Sequence, residues 1–241
     1  MKLSIMIPTF GRPKEFKRLF NRIKGIVHNE VEIVIACSSP EYMPQYSELP
    51  RKGYHITCLN TKGLTREQNY MKGLAHCRGE YTLIVEDDDL VNEQTIIDFV
   101  WTYSSENADL YVYSIMTANK SYILKSVEYY TVDDFLSMFY KRYGNTFQWG
   151  QCFTKTNLLK RAMYRLWVED KELDLIQSDE LITLMIAKEG KTLATFDHPL
   201  LWVGRGNDNY SWGNPKEEEQ LDRFRQLRKK YVGDKYFNDI P

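Results

Sequence analysis

What this 241-residue chain lacks narrows the field first. No apolar run approaches the roughly 18 residues needed to span a bilayer. The run after Met1 and Lys2 stops at Pro8, too short for the core of a signal peptide. A soluble, cytoplasmic protein is expected, with no transmembrane segment and with peripheral membrane contact left open. Cysteine and histidine are sparse. Cys37, Cys58, Cys77 and Cys152 form no C-x-x-C pair, and the four histidines show no H-x-x-x-H spacing, which argues against zinc and for reduced thiols. An excess of either charge is missing as well. Lys and Arg number 32 against 33 Asp and Glu, so no global basic field exists to hold a polyanion, and nucleic acid would need a local patch. Internal repeats and low-complexity segments are absent. So is a clearly basic, glycine-rich loop after the first apolar run, which a nucleotidyltransferase would need for a triphosphate.

What the chain has is enough length for a sizeable core, in one large domain or two small ones, and many aromatics, with 17 Tyr and 5 Trp. Its organising stretch is Tyr81-Thr-Leu-Ile-Val-Glu-Asp-Asp-Asp-Leu90, a β-favouring apolar run that ends in four carboxylates. Four like charges repel at a strand end that offers little water. A hard divalent cation such as Mg²⁺ or Mn²⁺ would relieve that repulsion, since it prefers carboxylate oxygen. The competing reading is a solvated acidic turn.

The rest of the chain decides between them. Residues 3–7 predict a buried strand, followed by the loop at 8–12, and Pro13 suits the first position of a helix. Phe16, Leu19, Phe20, Ile23 and Ile26 recur at helical spacing. Residues 31–36 and 54–59 predict further strands, and Thr65-Arg-Glu-Gln68 has the capping-box form that opens a helix. Strands alternating with amphipathic helices imply a mainly parallel α/β sheet with right-handed connections, and such sheets bind ligands at the carboxyl ends of their strands. The loops at 8–12, 37–39, 60–66 and 86–89 all follow strands, which favours function for the carboxylates. In the second half, strands are expected at 110–115, 122–124, 192–196 and 200–203. Helices are expected from Thr131 to about Arg142, over 156–167, after Ser178 and after Pro215. Tyr143–Gln151 is aromatic and glycine-bearing, and Gly204–Trp212 is polar.

Three motifs in order, Ser4-Ile-Met-Ile-Pro-Thr-Phe-Gly-Arg12, Gly63-Leu-Thr-Arg-Glu-Gln-Asn69 and Gly79-Glu-Tyr-Thr-Leu-Ile-Val-Glu-Asp-Asp-Asp-Leu90, resemble the family 2 glycosyltransferases. The resemblance is dense over the first 100 residues and thin afterwards. It implies an α/β GT-A (Rossmann-like) fold, a mainly parallel sheet with helices on both faces. A nucleotide-sugar-binding half would span 1–105, and the acceptor-binding and catalytic-base half of the same domain would span 106–241. It further implies an inverting transfer from a nucleotide sugar to an acceptor hydroxyl, assisted by Mn²⁺ or Mg²⁺. By position in the motifs, Asp88 and Glu86 match the metal carboxylates, supported by Asp87 and Asp89. Pro8, Thr9, Phe10, Arg12, Ser38, Gly63, Arg66, Asn69 and Asp87 fall on the donor side, with Arg66 facing the diphosphate. The catalytic base is implied at Asp179, because Ala187-Lys-Glu-Gly190 sets the register of the family's helix, with Glu180 beside it.

The chain departs from the family in two places. After the second strand, Asp residues usual in the family are replaced by Ala36, Cys37, Ser38 and Ser39, so a UDP-sugar is the expected donor but its base stays open. Near the C-terminus Arg205 stands where many members carry a histidine, and a positive charge there suits phosphate. Trp149, Gly150 and Gln151, with Glu180, are the candidates on the acceptor side, since aromatic faces suit sugars or bases and glycine admits close approach. The acceptor itself is open among a glycan, a lipid-linked sugar, a protein and a small metabolite. Lys141, Arg142, Tyr140, Tyr143, Phe147 and Trp149 mix charge with stacking surface, so a hydroxymethylated base in DNA is a further option. A nucleotidyltransferase and a non-catalytic sugar or nucleotide binder are the rival readings.

Overall fold

In the computed structural model, which describes residues 1–26, 30–42, 55–116, 121–122, 128–143, 149–171, 178–190, 192–202 and 217–233, strand β1 (Leu3–Thr9) is buried along its whole length. So is β2 (Val31–Cys37) beside it. Strands covered on both faces read as unbroken apolar runs, and successive side chains then serve two different cores. Ile5, Ile7, Ile33 and Ile35 enter one core with Phe16, Leu19, Phe20 and Ile23 of helix α1 (Pro13–Ile23). Met6 and Val34 enter the other with Tyr70 and Leu74 of α2 (Arg66–His76). Gly73 lets α2 close on the sheet, since a Cβ there would lie 2.9 Å from Met6 and 3.2 Å from Ala36.

The sheet continues with β3 (His55–Asn60), β4 (Tyr81–Ile84), β5 (Leu90–Val91), β6 (Leu110–Met116), β7 (Ser121–Tyr122), β8 (Glu128–Tyr130), β9 (Cys152–Lys155) and β10 (Leu193–Trp202). Its order is β3-β2-β1-β4-β9-β6-β10-β5, with β7 on β6 and β8 on β10. β1, β2, β3, β4, β6 and β10 run one way, and the remaining strands run against them. The sheet is therefore mainly parallel but mixed, and it carries helices on both faces. α1 and α3 (Glu93–Trp101) cover one side. On the other lie α2, α4 (Val132–Tyr143), α5 (Thr156–Tyr164), α6 (Ser178–Glu189) and α7 (Glu217–Tyr231).

Three local expectations are corrected. The strands expected at 192–196 and 200–203 are one strand, β10, whose ladder with β6 shifts register between Phe196 and Pro199 and again before Leu201. Proline has no N–H to give a ladder, so the chain bulges there and resumes pairing. The helix expected over 156–167 ends as α at Tyr164 and continues as a π-helical turn, Arg165–Glu169. β9 was not foreseen at all. It is four residues long, yet it pairs with both β4 and β6 and so makes one sheet of the two halves.

Register aligns the strand ends that matter. Thr9 pairs with Cys37 and Cys37 with Asn60, while the Val85 N–H extends the β4 ladder to the Met6 carbonyl at 3.0 Å. The four loops singled out in the sequence therefore leave the sheet along one edge.

Candidate active site

The four carboxylates after β4 are not equally exposed. The Asp89 N–H donates to the Glu86 carbonyl at 3.1 Å and closes a turn. Asp87 and Asp89 are buried, and Glu86 and Asp88 stay partly open. Asp87, fully buried, accepts from the Phe10 N–H at 3.3 Å and from the Thr9 side chain, and pairs with Arg12 at 2.5 Å. Burial pushes its pKa up to about 6 against the pull of Arg12. The other arm of the Arg12 guanidinium reaches Asp88 at 2.6 Å, and Arg18 donates to the Asp88 backbone carbonyl at 2.9 Å. The loop after β1 thus clamps the acidic turn. Gly11, at φ +86°, lets that loop turn beside Ser39, where a Cβ would meet the Ser39 Oγ at 2.7 Å.

The other wall is α2. Thr65 and Gln68 form both halves of the expected capping box, so the helix starts at Arg66. Arg66 is half-buried and pairs with Glu67 at 3.1 Å. One turn on, the buried Tyr70 hydroxyl donates to Glu86. Burial, helped by Glu86, raises the Tyr70 pKa well above the usual phenol range, so it stays a donor. The fixed helix start puts Tyr70 on the same face as Arg66, four residues apart.

α6 brings the last member. Asp179 and Glu180 both lie in its first turn, where carboxylates are favoured, but they differ in exposure. Glu180 is 2% exposed, whereas Asp179 keeps an opening to solvent. Burial raises the Asp179 pKa to about 6, the negative charge of Glu86 pushes the same way, and Arg66 pulls it down. Asp179, Glu86, Arg66 and Tyr70 therefore share one electrostatic environment although three separate elements carry them.

A divalent cation is the test of the acidic turn. Among the described residues no three His, Cys, Asp or Glu side chains converge as a closed metal cage. Glu86 and Asp88 offer two partly open carboxylates. That fits Mg²⁺ or Mn²⁺, which take one or two carboxylates and complete their shell with phosphate oxygens and water. The donor set fits a cation shared with a bound diphosphate, not one held by protein alone.

Of the remaining candidates, Pro8 and Thr9 are buried at the end of β1, while Phe10 is 36% exposed. Ser38 donates through its hydroxyl to the Thr9 carbonyl at 3.2 Å, tying the second loop to the first. Gly63 lies exposed at φ +78°. Asn69 is fully buried, with both side-chain polar atoms unpartnered among the described residues. Trp149 packs 5.3 Å from Tyr70 and stacks 6.0 Å from Trp167, and it is still partly open. Gly150 and Gln151 are buried, and the close approach that Gly150 permits is to Leu201, with a Cβ at 2.6 Å. Glu180, the other candidate on the acceptor side, is buried like Gly150 and Gln151. Lys141 and Arg142 lie on α4, and Phe147 and Arg205 lie outside the described residues. Sequence reasoning missed Tyr70 and Arg18. The i, i+4 spacing from Arg66 was the one signal that could have found Tyr70. A cavity of about 510 Å³, lined by Met71, Leu74, Lys160 and Tyr164 among others, flanks the far half of α2 and holds none of these groups.

A family profile described as Glycosyl transferase family 2 matches residues 4–161. No curated protein matches the sequence. Among solved structures, S. aureus TarS 1–349 in complex with UDP-GlcNAc is similar at TM-score 0.72 and 16% identity, over 99% of this chain and 72% of that one. The mannosyltransferase PcManGT from Pyrobaculum calidifontis, in complex with GDP-Man and Mn²⁺, is similar at TM-score 0.62 and 14% identity, over 98% of this chain and 69% of that one.

Proposed function

The chain belongs to glycosyl transferase family 2 and is a glycosyltransferase with a GT-A fold, and from that premise we propose that it performs a metal-dependent, inverting transfer from a nucleotide sugar to an acceptor hydroxyl. The observation that carries this reading is the meeting of Glu86, Arg66, Tyr70 and Asp179 at the carboxyl edge of the sheet. Similar structures with UDP-GlcNAc, or with GDP-Man and Mn²⁺, support a nucleotide-sugar donor. Residues up to about 105 would serve the donor, and those after it the acceptor and the base.

Each residue then has a task. The acceptor hydroxyl attacks the anomeric carbon from the face opposite the diphosphate, and Asp179 takes its proton as the new C–O bond forms. The bond from the anomeric carbon to the diphosphate oxygen breaks, and the nucleoside diphosphate leaves with that electron pair. A carboxyl with a pKa of about 6 is charged at neutral pH yet basic enough to accept the proton. Arg66, at the positive end of α2, would hold the leaving diphosphate. Glu86 and Asp88 would hold Mg²⁺ or Mn²⁺, which supplies positive charge for the diphosphate as it departs. Tyr70 keeps Glu86 oriented.

A screen of nucleotide sugars for release of nucleoside diphosphate, with and without chelator, tests the reading. Release from at least one donor is expected, lost with chelator and in Asp88→Asn. Release from none would sink the transferase reading of this site, and full release in excess chelator would sink its metal dependence.

A further inference from the structure

Arg12 is the cation already present in the acidic turn. One arm of its guanidinium lies 2.5 Å from Asp87 and the other 2.6 Å from Asp88. Three neighbouring carboxylates, Asp87, Asp88 and Glu86, outweigh the effect of burial and keep it charged. Its Nε is buried and unpartnered among the described residues, so one donor of the guanidinium is unused. The two carboxylates differ in their need for it. Asp87 has no exposure at all, whereas the Asp88 side chain is 16% exposed at the mouth of the site.

We propose that Arg12 gates the metal: it occupies Asp88 in the free enzyme and yields it to a divalent cation only when a diphosphate is bound. The inference rests on Glu86 and Asp88 being the cation's carboxylates. With Arg12 in place, a divalent cation on Asp88 would sit beside a guanidinium, and the two positive charges repel. If Arg12 withdrew completely, buried Asp87 would lose its countercharge, which is costly. A diphosphate resolves the conflict. Its oxygens accept the arm that leaves Asp88, since a planar guanidinium suits phosphate, while the other arm stays on Asp87. Asp88 is then free for the cation. Cation and diphosphate become linked ligands, each tightening the other by the same factor, and Arg12 carries a share of that link.

Mn²⁺ binding to the full chain, read by the electron paramagnetic resonance of the free ion, tests this without turnover. Wild type, Arg12→Met and Arg12→Lys are titrated alone and with UDP or GDP. Arg12→Met should bind Mn²⁺ alone about tenfold more tightly than wild type, because a repelling charge is gone. UDP or GDP should then tighten it less. Arg12→Lys keeps the charge and should stay within about threefold of wild type. If Arg12→Met does not fold, Arg12→Met/Asp87→Asn removes the buried charge as well, and the same tightening is expected relative to Asp87→Asn, which has lost the same attracting carboxylate. Mn²⁺ affinity in Arg12→Met no higher than in wild type, with wild type still binding Mn²⁺ beside UDP or GDP, overturns the gate and leaves the site assignment standing. No Mn²⁺ binding by any protein under any condition overturns both.

Discussion

Replacing Asp179 by Asn is the most direct perturbation of the proposed chemistry, because it keeps the side chain's shape and removes its basicity. Its structural cost should be small, since Asp179 is partly open and sits at a helix start that accepts either residue. Loss of a positioned general base slows a reaction by roughly 10²–10⁴. Hydrolysis of a donor identified by screening, with water as acceptor, should fall by that factor, while affinity for the nucleoside diphosphate holds. The structure adds a pH signature. With a pKa of about 6, roughly 97% of Asp179 is charged near pH 7.5 and roughly 9% near pH 5. The kcat/KM of wild type should therefore drop about tenfold across that interval, with a slope that approaches one only below the pKa, since it reports the free enzyme. Arg66 favours the charged form, so Arg66→Gln should move this limb to higher pH. Glu180→Gln should leave the limb in place, because what Glu180 gives Asp179 is a backbone N–H that the substitution keeps. An acid limb unchanged in Asp179→Asn, or abolition of turnover by Glu180→Gln alone, would refute the assignment.

Tyr70→Phe removes the bond to Glu86 and keeps the ring against Trp149 and Trp167. Turnover should fall roughly 10–100-fold, as for other groups that orient a metal carboxylate, with a melting temperature close to wild type. A large loss of stability with normal turnover per folded enzyme would contradict that role. Trp149→Ala opens the stack on Trp167 and should cost about 2–4 kcal/mol in denaturant unfolding, somewhat less than a fully buried Trp. Transfer to an acceptor should fall further than donor hydrolysis, and equal losses would make Trp149 a packing residue only. Gly79→Ala would place a Cβ 2.4 Å from the Ser4 backbone nitrogen and 2.6 Å from the Leu3 carbonyl carbon. It should destabilise by about 1–3 kcal/mol or more, and an unchanged denaturant midpoint would show that β1 can yield there.

The first hundred residues were legible because their signals are local. An apolar run such as 3–7 announces a strand covered on both faces, and Thr65 with Gln68 announces a helix start. Those two kinds of signal placed β1 to β4, α1 and α2, and with them the site's edge. The second half depended on partners distant in sequence. Cys152–Lys155 is too short to show a period, and only β4 and β6 on either side make it a strand. His198 and Pro199 looked like a break between strands, yet the neighbouring ladder with β6 holds β10 together across them. A motif register singled out Asp179 beside Glu180, but that Glu180 is the more buried of the two is a fact of packing.

The acidic turn shows what a sequence reading of charge leaves out. Four adjacent carboxylates at a strand end imply repulsion, and a bound cation looks like its remedy. The folded chain relieves much of that repulsion by itself. Arg12 pairs with Asp87 and Asp88, and Tyr70 donates to Glu86. These partners lie about 16 to 76 positions away along the chain, so no local pattern could reveal them. They also change what a metal must do. A cation entering an unrelieved cluster would bind strongly alone, whereas a cation entering this one must replace Arg12 at Asp88. Its affinity then depends on whatever takes Arg12 in exchange, and a diphosphate is the group that both the guanidinium and the cation can share.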